Sequence, residues 1–439
     1  MGGNTLATGE AAWLMFGIFF ILLALRVPVA VSLGLACLPA FILEDRLWPM
    51  ILVQETFNSY NSFILLAVPF FLLAANLMTA GGITDRLVTL SRSMVGHLPG
   101  GLAQINVVLS VFFAGISGSS TADAASQGKI FIEAQIKEGY APSFSVAITA
   151  VSSVLAVVIP PSILMIVWGG VLTTSIGALF LAGILPGLFL ALAQMGTVHV
   201  YSKARNYPTY PKASWGELGY AIFIAIPALM TPFIIIGGKI FGWFTPTEAA
   251  CVAVLYALAL SLIVYRKLDL RGLYNAFSET GRFAAITLFC VGTASTFGWL
   301  MAFYQMPQAL LSGVSGWEMG PIAAGFFIAA VFLIVGCFLD AIPAIIIVGT
   351  ILQPIAAAAG IHPVHFAMIS ICSLAFGLVT PPYGLCLLIC CSIANLRLVD
   401  VLKDVLLMLL PMLGVLVLLI LWPDMALMIP RLLEPGFME

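Results

Sequence analysis

Long apolar runs alternate with short polar breaks from end to end of this 439-residue chain, and the runs exceed the length of strands. They predict helices at about residues 11–25, 27–43, 63–78, 102–115, 144–171 and 176–201, then again at about 219–238, 247–265, 283–303, 321–336, 366–393 and 399–422. Amphipathic stretches near 47–60 and 268–282 precede the third run of each half. Pro-Pro pairs interrupt two runs, in Val158-Ile159-Pro160-Pro161 and Val379-Thr380-Pro381-Pro382, and Gly115 and Gly336 each stand 45 residues before them. One shift of 221 residues superimposes both features, which predicts two copies of one unit, 1–201 and 218–439, joined by a polar linker at 202–217. In each copy two plain scaffold helices come first, followed by interrupted elements at about 61–171 and 283–395. An odd number of crossings per copy would invert the second against the first, as alternating-access transporters commonly do.

Composition turns these helices into membrane spans. With 62% hydrophobic and 8% charged residues, the chain carries more apolar surface than a soluble core of this length buries, so the expectation is an all-α polytopic protein with the lipid bilayer as its solvent. The runs are too long and too continuous for an outer-membrane barrel. A net charge of −2 offers no footprint for nucleic acid, and no polybasic tail marks a peripheral anchor.

The position of the few cations then sets orientation. Arg26, Lys203, Arg205, Lys212, Arg266, Lys267 and Arg271 fall in breaks that read as cytoplasmic under the positive-inside rule. Glu44-Asp45-Arg46 and 237–244 would face the other side, which places the N-terminus outside. The first run lacks a basic stretch before it and a small-residue cleavage site after it, so it reads as a retained span. Eight cysteines form no C-x-x-C pair; even Cys386, Cys390 and Cys391 read as reduced thiols packing as small hydrophobes.

The interruptions are where chemistry could reside. A proline cannot donate to the carbonyl four residues earlier, so Pro160 and Pro161 would free the carbonyls of Ala156 and Val157, and Pro381 and Pro382 those of Gly377 and Leu378. In hydrocarbon such oxygens need protein, water or a cation, and Na⁺ prefers oxygen ligands. Gly115-Ile116-Ser117-Gly118-Ser119-Ser120-Thr121-Ala122-Asp123 puts two glycines, four hydroxyls and a carboxylate at bilayer depth. Asp123 and Asp340 are costly there, by about 2.5–3.5 kcal/mol each, and so are functional candidates; the competing reading is a helix cap or an interfacial position. Asn61-Ser62-Phe63 through Pro69 and Gly292-Thr293-Ala294-Ser295 read either as tips of re-entrant hairpins or as small-residue packing.

No cation lies in any of these breaks, so an anion would be held by helix N-termini and hydroxyls; Arg282 and Lys239 are the nearest alternatives, with loop or interface roles favoured for both. Candidate substrate ligands are Ser117, Ser119, Ser120, Thr121, Asp123 and Asp340. Candidate Na⁺ ligands are Gly115, Ser119, Ala156, Val157, Pro160, Thr293, Ser295, Gly336, Gly377, Thr380 and Pro381. Gly-Ile-Ser-Gly also matches a motif of intramembrane serine proteases, but His97, His199, His362 and His365 fall at span ends or in loops, away from that serine. A channel or scaffold component is the third reading.

Phe63-Ile64-Leu65-Leu66-Ala67-Val68-Pro69-Phe70-Phe71, the segment 115–123, Ile159-Pro160-Pro161-Ser162 and Thr380-Pro381-Pro382-Tyr383-Gly384 together resemble the large membrane subunit of tripartite ATP-independent periplasmic (TRAP) transporters, the DctM family, over nearly the whole length. The resemblance implies Na⁺-driven import of a small organic anion, such as a dicarboxylate, a sialic acid or a keto acid, across the bacterial inner membrane. It implies an elevator motion of a transport unit past a fixed scaffold. It also implies two partners, a small membrane subunit of about four helices and an extracytoplasmic substrate-binding protein. Because some relatives fuse the small subunit in front and this sequence starts near its first span, that partner is expected as a separate chain. By motif, Ser117–Thr121, Pro160, Gly336–Asp340 and Thr380–Pro382 would bind sodium and substrate. Coupling is expected on energetic grounds as well. A 1,000-fold accumulation costs about 4.1 kcal/mol, whereas one charge crossing roughly 100 mV supplies about 2.3, and the chain has no phosphate-binding loop for nucleotide.

Overall fold

The computed structural model describes residues 7–434 except 26 and 315–318, together with residue 436; Arg26 and the extreme ends of the two predicted halves lie outside the described residues. The described chain is helical throughout, with six helices long and apolar enough to cross a bilayer and two further pairs, bent by 75° and 42°, that reach that length and hydropathy only when each pair is taken together, as a broken span or a re-entrant loop. Helix starts follow local chemistry. Ser214 and Glu217 form a reciprocal capping box before Trp215–Ile240, as do Thr245 and Glu248 before Pro246–Val264. Pro142, Pro246, Pro321 and Pro363 occupy first helical positions, where a missing N–H costs nothing.

Two groups of helices pack side by side, each drawing on both halves of the sequence. In the first, Thr8–Ala24 lies on Val29–Leu43, which packs on Leu270–Phe303; Ala67–Ala80 sits between Leu270–Phe303 and Pro246–Val264. In the second, Gly101–Ser117 packs on Ser120–Lys137 and Ile176–Arg205, and Pro321–Gly336 packs on Pro363–Gly377. Leu385–Ala394 inserts against Ser120–Lys137 and Pro142–Ser153, and Leu398–Leu421 and Asp424–Leu433 cover Ile176–Arg205. Outward-facing Phe223 and Phe233, both about 70% exposed, mark Trp215–Ile240 as a helix whose outer face suits lipid.

The order of the second group recurs along the chain. Gly101–Ser117, Ser120–Lys137, Pro142–Val158 and Ile163–Leu172 have counterparts in Pro321–Gly336, Ala341–Ala358, Pro363–Gly377 and Leu385–Ala394. Both Pro-Pro bonds, 160–161 and 381–382, are cis and lie between the last two members of each series.

Several boundaries differ from the sequence expectation. Gly115 is helical and the break falls at Gly118–Ser119, because Gly118 adopts the left-handed conformation (φ 61°) that ends the helix. Pro69 does not interrupt its helix; it is the third residue of Ala67–Ala80, where its N–H would have had no intrahelical acceptor. Gly292–Ser295 is no hairpin tip. It lies inside the continuous 34-residue helix Leu270–Phe303, which also absorbs most of the amphipathic stretch 268–282; no proline separates the two, and the Thr280 hydroxyl bonds back to Ala276 O instead of capping a new helix. The linker narrows to 206–214, since helices extend into both of its ends. Ile83–Val95, Ser120–Lys137, Met306–Val314 and Asp424–Leu433 are helices that hydropathy alone passes over.

Candidate substrate and ion site

The four breaks of the second group converge. Gly118, Ser119, Ser120 and Thr121 from the first break, Val157 and Ile163 from the second, Asp340 and Ala341 from the third, and Leu378 and Leu385 from the fourth line one cavity of about 330 Å³. Leu72, Phe283, Ile286 and Thr287 of the first helix group close its other side, so the cavity lies between the two groups. Ser120, Ile163, Ala341 and Leu385 are each the first residue of a helix. Four helix starts, each equivalent to roughly half a positive charge, therefore meet at a cavity lined by no lysine or arginine and by one carboxylate, Asp340, which caps the third of them.

Hydrogen bonds fix the irregular backbone. Ser119 caps its helix by accepting from the Ala122 N–H at 3.5 Å, and the Asp340 carboxylate accepts from the Ala341 N–H at 2.8 Å. The Ile163 N–H donates to the Gly118 carbonyl at 3.2 Å and so ties the first break to the second. A side chain at Gly118 would collide with the Pro161 carbonyl oxygen, its Cβ falling 2.8 Å away, so this close approach needs glycine as much as the turn does.

The carbonyls expected to be free are largely engaged. Val157 O accepts from Ser162 Oγ at 2.7 Å, Gly377 O from the Thr380 N–H at 3.0 Å, and Leu378 O from the Cys386 N–H at 3.0 Å. Chain curling back after the proline pairs supplies two of these donors, Ser162 and Cys386, and Thr380, just before the second pair, supplies the third. Each oxygen keeps a second lone pair for another partner. The Thr380 hydroxyl donates to Phe376 O at 2.6 Å, leaving its own lone pairs available.

The candidate residues separate into those at the cavity and those behind it. Ser119, Ser120, Thr121, Val157 and Asp340 line it. Ser120 Oγ is buried without a hydrogen-bond partner among the described residues, an unusual state for a hydroxyl and one that a ligand in the cavity would relieve. Ser117 and Asp123 are not in the lining. Ser117 Oγ donates to the Asp123 carboxylate at 2.5 Å across the Gly118 turn, and Gln127, itself bonded to Ser110, approaches the same carboxylate at 3.5 Å. Asp123 thus staples the two helices at the break. Gly115 faces Pro232 of the neighbouring span, and Pro160 packs against Gly183.

Gly336 and Gly377 face each other. A Cβ on Gly377 would lie 2.6 Å from the Gly336 Cα, so two helices cross here backbone to backbone. Gly336 also borders a second cavity of about 250 Å³, which shares Asp340 and Leu385 with the first, so the Asp340 region separates two spaces. Ala156 is buried, and Thr380 and Pro381 are partly buried outside both linings. Thr293 packs against Gly34 and donates to Phe289 and Cys290 carbonyls, and partly buried Ser295 shares its helix. Lys239 lies 3.7 Å from Glu434, and Arg282 is exposed beside Phe283 without joining the lining. Of the histidines, His365 bonds to Leu419 O, and none bonds to Ser117 among the described residues, so the serine-protease arrangement is not built.

Leu72, Phe283, Ile286 and Thr287 were not foreseen. Thr287, a polar residue in a lipid-length helix, was the one available signal.

Broken helices that aim their starts at a cavity between two packed groups are the build of a membrane permease. Residues 16–425 match the family described as "Tripartite ATP-independent periplasmic transporter, DctM component". The chain is 38% identical over 428 residues to "Uncharacterized protein YgiK" of Salmonella typhimurium, covering 96% of this chain and 98% of that protein. It is 37% identical over 411 residues to the sialic acid TRAP transporter large permease protein SiaM of Vibrio cholerae, covering 94% and 96%. It is 35% identical over 347 residues to the C4-dicarboxylate TRAP transporter large permease protein DctM of Pseudomonas aeruginosa, covering 79% and 81%. Among solved structures it shares the fold of the Alcanivorax borkumensis YdaH transporter, described as having an unusual topology, with a TM-score of 0.56 at 16% identity over 85% of this chain and 87% of that one. The chain belongs to the DctM family and is a large permease subunit of the TRAP type.

Proposed function

We propose that the chain imports a small organic anion by Na⁺ symport, with the cavity at the four breaks as the substrate site. The observation that carries this reading is the meeting of four helix starts and the unpaired Ser120 hydroxyl in one cavity whose lining has no basic side chain. Backbone N–H groups and hydroxyls bind a carboxylate there without the strong, fixed charge of an arginine, which suits a site that must release its cargo. The relatives' names include sialic acid, C4-dicarboxylate, isethionate and 2,3-diketo-L-gulonate permeases, all acids, which supports an acid substrate here.

Sodium is the coupling ion in this reading, bound beside the substrate by backbone oxygens at the proline-pair breaks. The second lone pairs of Val157 and Gly377 oxygens and the hydroxyl of Thr380 are suitable hard ligands. The two proline-pair breaks proposed to bind Na⁺ lie in the second helix group, while Leu72, Phe283, Ile286 and Thr287 form a wall from the first, an arrangement that supports an elevator in which the second group slides along the first. The small membrane subunit and an extracytoplasmic binding protein complete the assembly in a bacterial inner membrane, with the N-terminus periplasmic.

Alanine at Thr380 or at Ser119 is expected to raise the Na⁺ concentration for half-maximal uptake several-fold in reconstituted vesicles. An unchanged Na⁺ dependence in both variants would move the ion site elsewhere.

A further inference from the structure

A third pocket, of about 420 Å³ and sharing no lining residue with the other two, lies between the helix Ile83–Val95, the segment 206–214 and the start of Trp215–Ile240. The helix Ile83–Val95 turns 75° from the helix before it. Its buried residues Ile83, Leu87, Leu90 and Val95 recur at helical spacing on the face that packs on Gly101–Ser117 and Trp215–Ile240, while Thr89 and Arg92 are exposed on the other. Trp215, 88% exposed, and Tyr220, 65% exposed, open the adjoining span and mark the same depth as that of lipid headgroups.

The pocket wall is rigidly built. The Tyr210 N–H donates to Gly96 O at 2.9 Å, the Gly101 N–H to Pro208 O at 3.1 Å and the Ala141 N–H to Tyr207 Oη at 3.1 Å, and the Tyr210 hydroxyl donates to Glu138. The Arg92 guanidinium lies 4.4 Å from the centre of the Tyr210 ring. Arg92 and Lys212 both line the pocket, and neither forms an ion pair among the described residues. Glu217, the carboxylate in the wall, is committed to its own helix start, where it accepts the Ser214 N–H at 2.7 Å. Two cations and one carboxylate, a net positive charge, thus face a preformed pocket beside Trp215 and Tyr220 and the stretch that joins the two halves of the chain.

We propose that this pocket binds a phosphate oxyanion, presented by an anionic phospholipid headgroup. Such a lipid would fasten the helix Ile83–Val95 to segment 206–214. The test uses the full chain in phosphatidylcholine nanodiscs, with increasing fractions of phosphatidylglycerol, and reads thermal unfolding and the lipid retained in native mass spectrometry. Phosphatidylglycerol is expected to stabilise the wild type and to be retained, with retention falling about fivefold for each cation removed in Arg92→Gln and Lys212→Gln. Lys403→Gln, an exposed cation outside the pocket, is expected to retain lipid like the wild type. Lys212 makes no side-chain hydrogen bond or ion pair among the described residues, so K212Q remains interpretable if R92Q destabilises the fold. A parallel titration replaces the lipid with inorganic phosphate. Stabilisation by phosphate alone, lost in the same variants, would assign the site to a soluble phosphate compound. Lipid retention and stabilisation in the double variant equal to wild type, or no response to either probe, would overturn the proposal.

Discussion

Replacing Gly377 with alanine is expected to destabilise the protein by about 3 kcal/mol, at the upper end of overpacking penalties, and to reduce uptake to background. The new methyl group would stand 2.6 Å from the Gly336 Cα and 3.0 Å from the Cys337 nitrogen, and neither is a flexible side-chain end that could swing aside. Pro321–Gly336 and Pro363–Gly377 would have to separate. Because the third and fourth breaks begin where these helices end, their separation would displace Asp340 and Leu378 from the cavity wall. Gly336→Ala is expected to be milder, its Cβ meeting Leu374 O at 3.0 Å and the Gly377 Cα at 3.2 Å. Gly196→Ala, with open space around it, is expected to leave unfolding and uptake unchanged or to stabilise slightly. Thermal unfolding and uptake of all three, measured side by side, check the order. Wild-type behaviour of G377A would contradict the backbone-to-backbone crossing.

The second large effect separates binding from folding. Ser119→Asp is expected to fold normally, because aspartate caps a helix as well as serine does and a carboxylate suits the positive end of the helix. Its charge would nevertheless sit in the lining of a cavity proposed to hold an anion, where repulsion in a poorly solvated space is strong. Uptake is expected to fall on the order of 100-fold with the unfolding temperature held, equivalent to about 2.7 kcal/mol. Ser119→Asn keeps the cap and adds no charge, so it is expected to lose far less. Equal losses in the two variants would point to bulk and not to charge.

Much of this architecture is legible in the residues because its interruptions are chemical. Proline pairs cannot be accommodated in a helix interior, and the second and fourth breaks fall at the pairs. The glycine breaks were placed near their true positions but shifted: Gly115 sits in a helix because Gly118 supplies the left-handed turn, and Gly336 ends its helix while making a packing contact. Polarity alone could not say which way a side chain faces. Ser117 and Asp123 look as eligible as Ser119 and Ser120 in sequence, yet one pair forms a staple and the other lines a cavity, a difference set by where the chain turns around Gly118.

The same limit applies to Thr293 and Ser295, whose Gly-Thr-Ala-Ser context mimics a loop while the helix runs on through it. Carbonyls that proline positions alone leave free are engaged by Ser162 and Cys386, which depend on the path after the break, and by Thr380, which turns back on Gly377 just before the second pair. The hydrophobic wall of the cavity left almost no trace, since Leu72, Phe283 and Ile286 resemble any lipid-facing residue until the two helix groups are packed together.

Coupling to Na⁺ is what distinguishes this proposed importer from a passive pore. With this chain, its small membrane subunit and a binding protein loaded with an organic acid in proteoliposomes, uptake of the labelled acid is expected only under an inward Na⁺ gradient and is expected to stop when a sodium ionophore dissipates that gradient. Uptake that continues unchanged after the gradient is dissipated would contradict it.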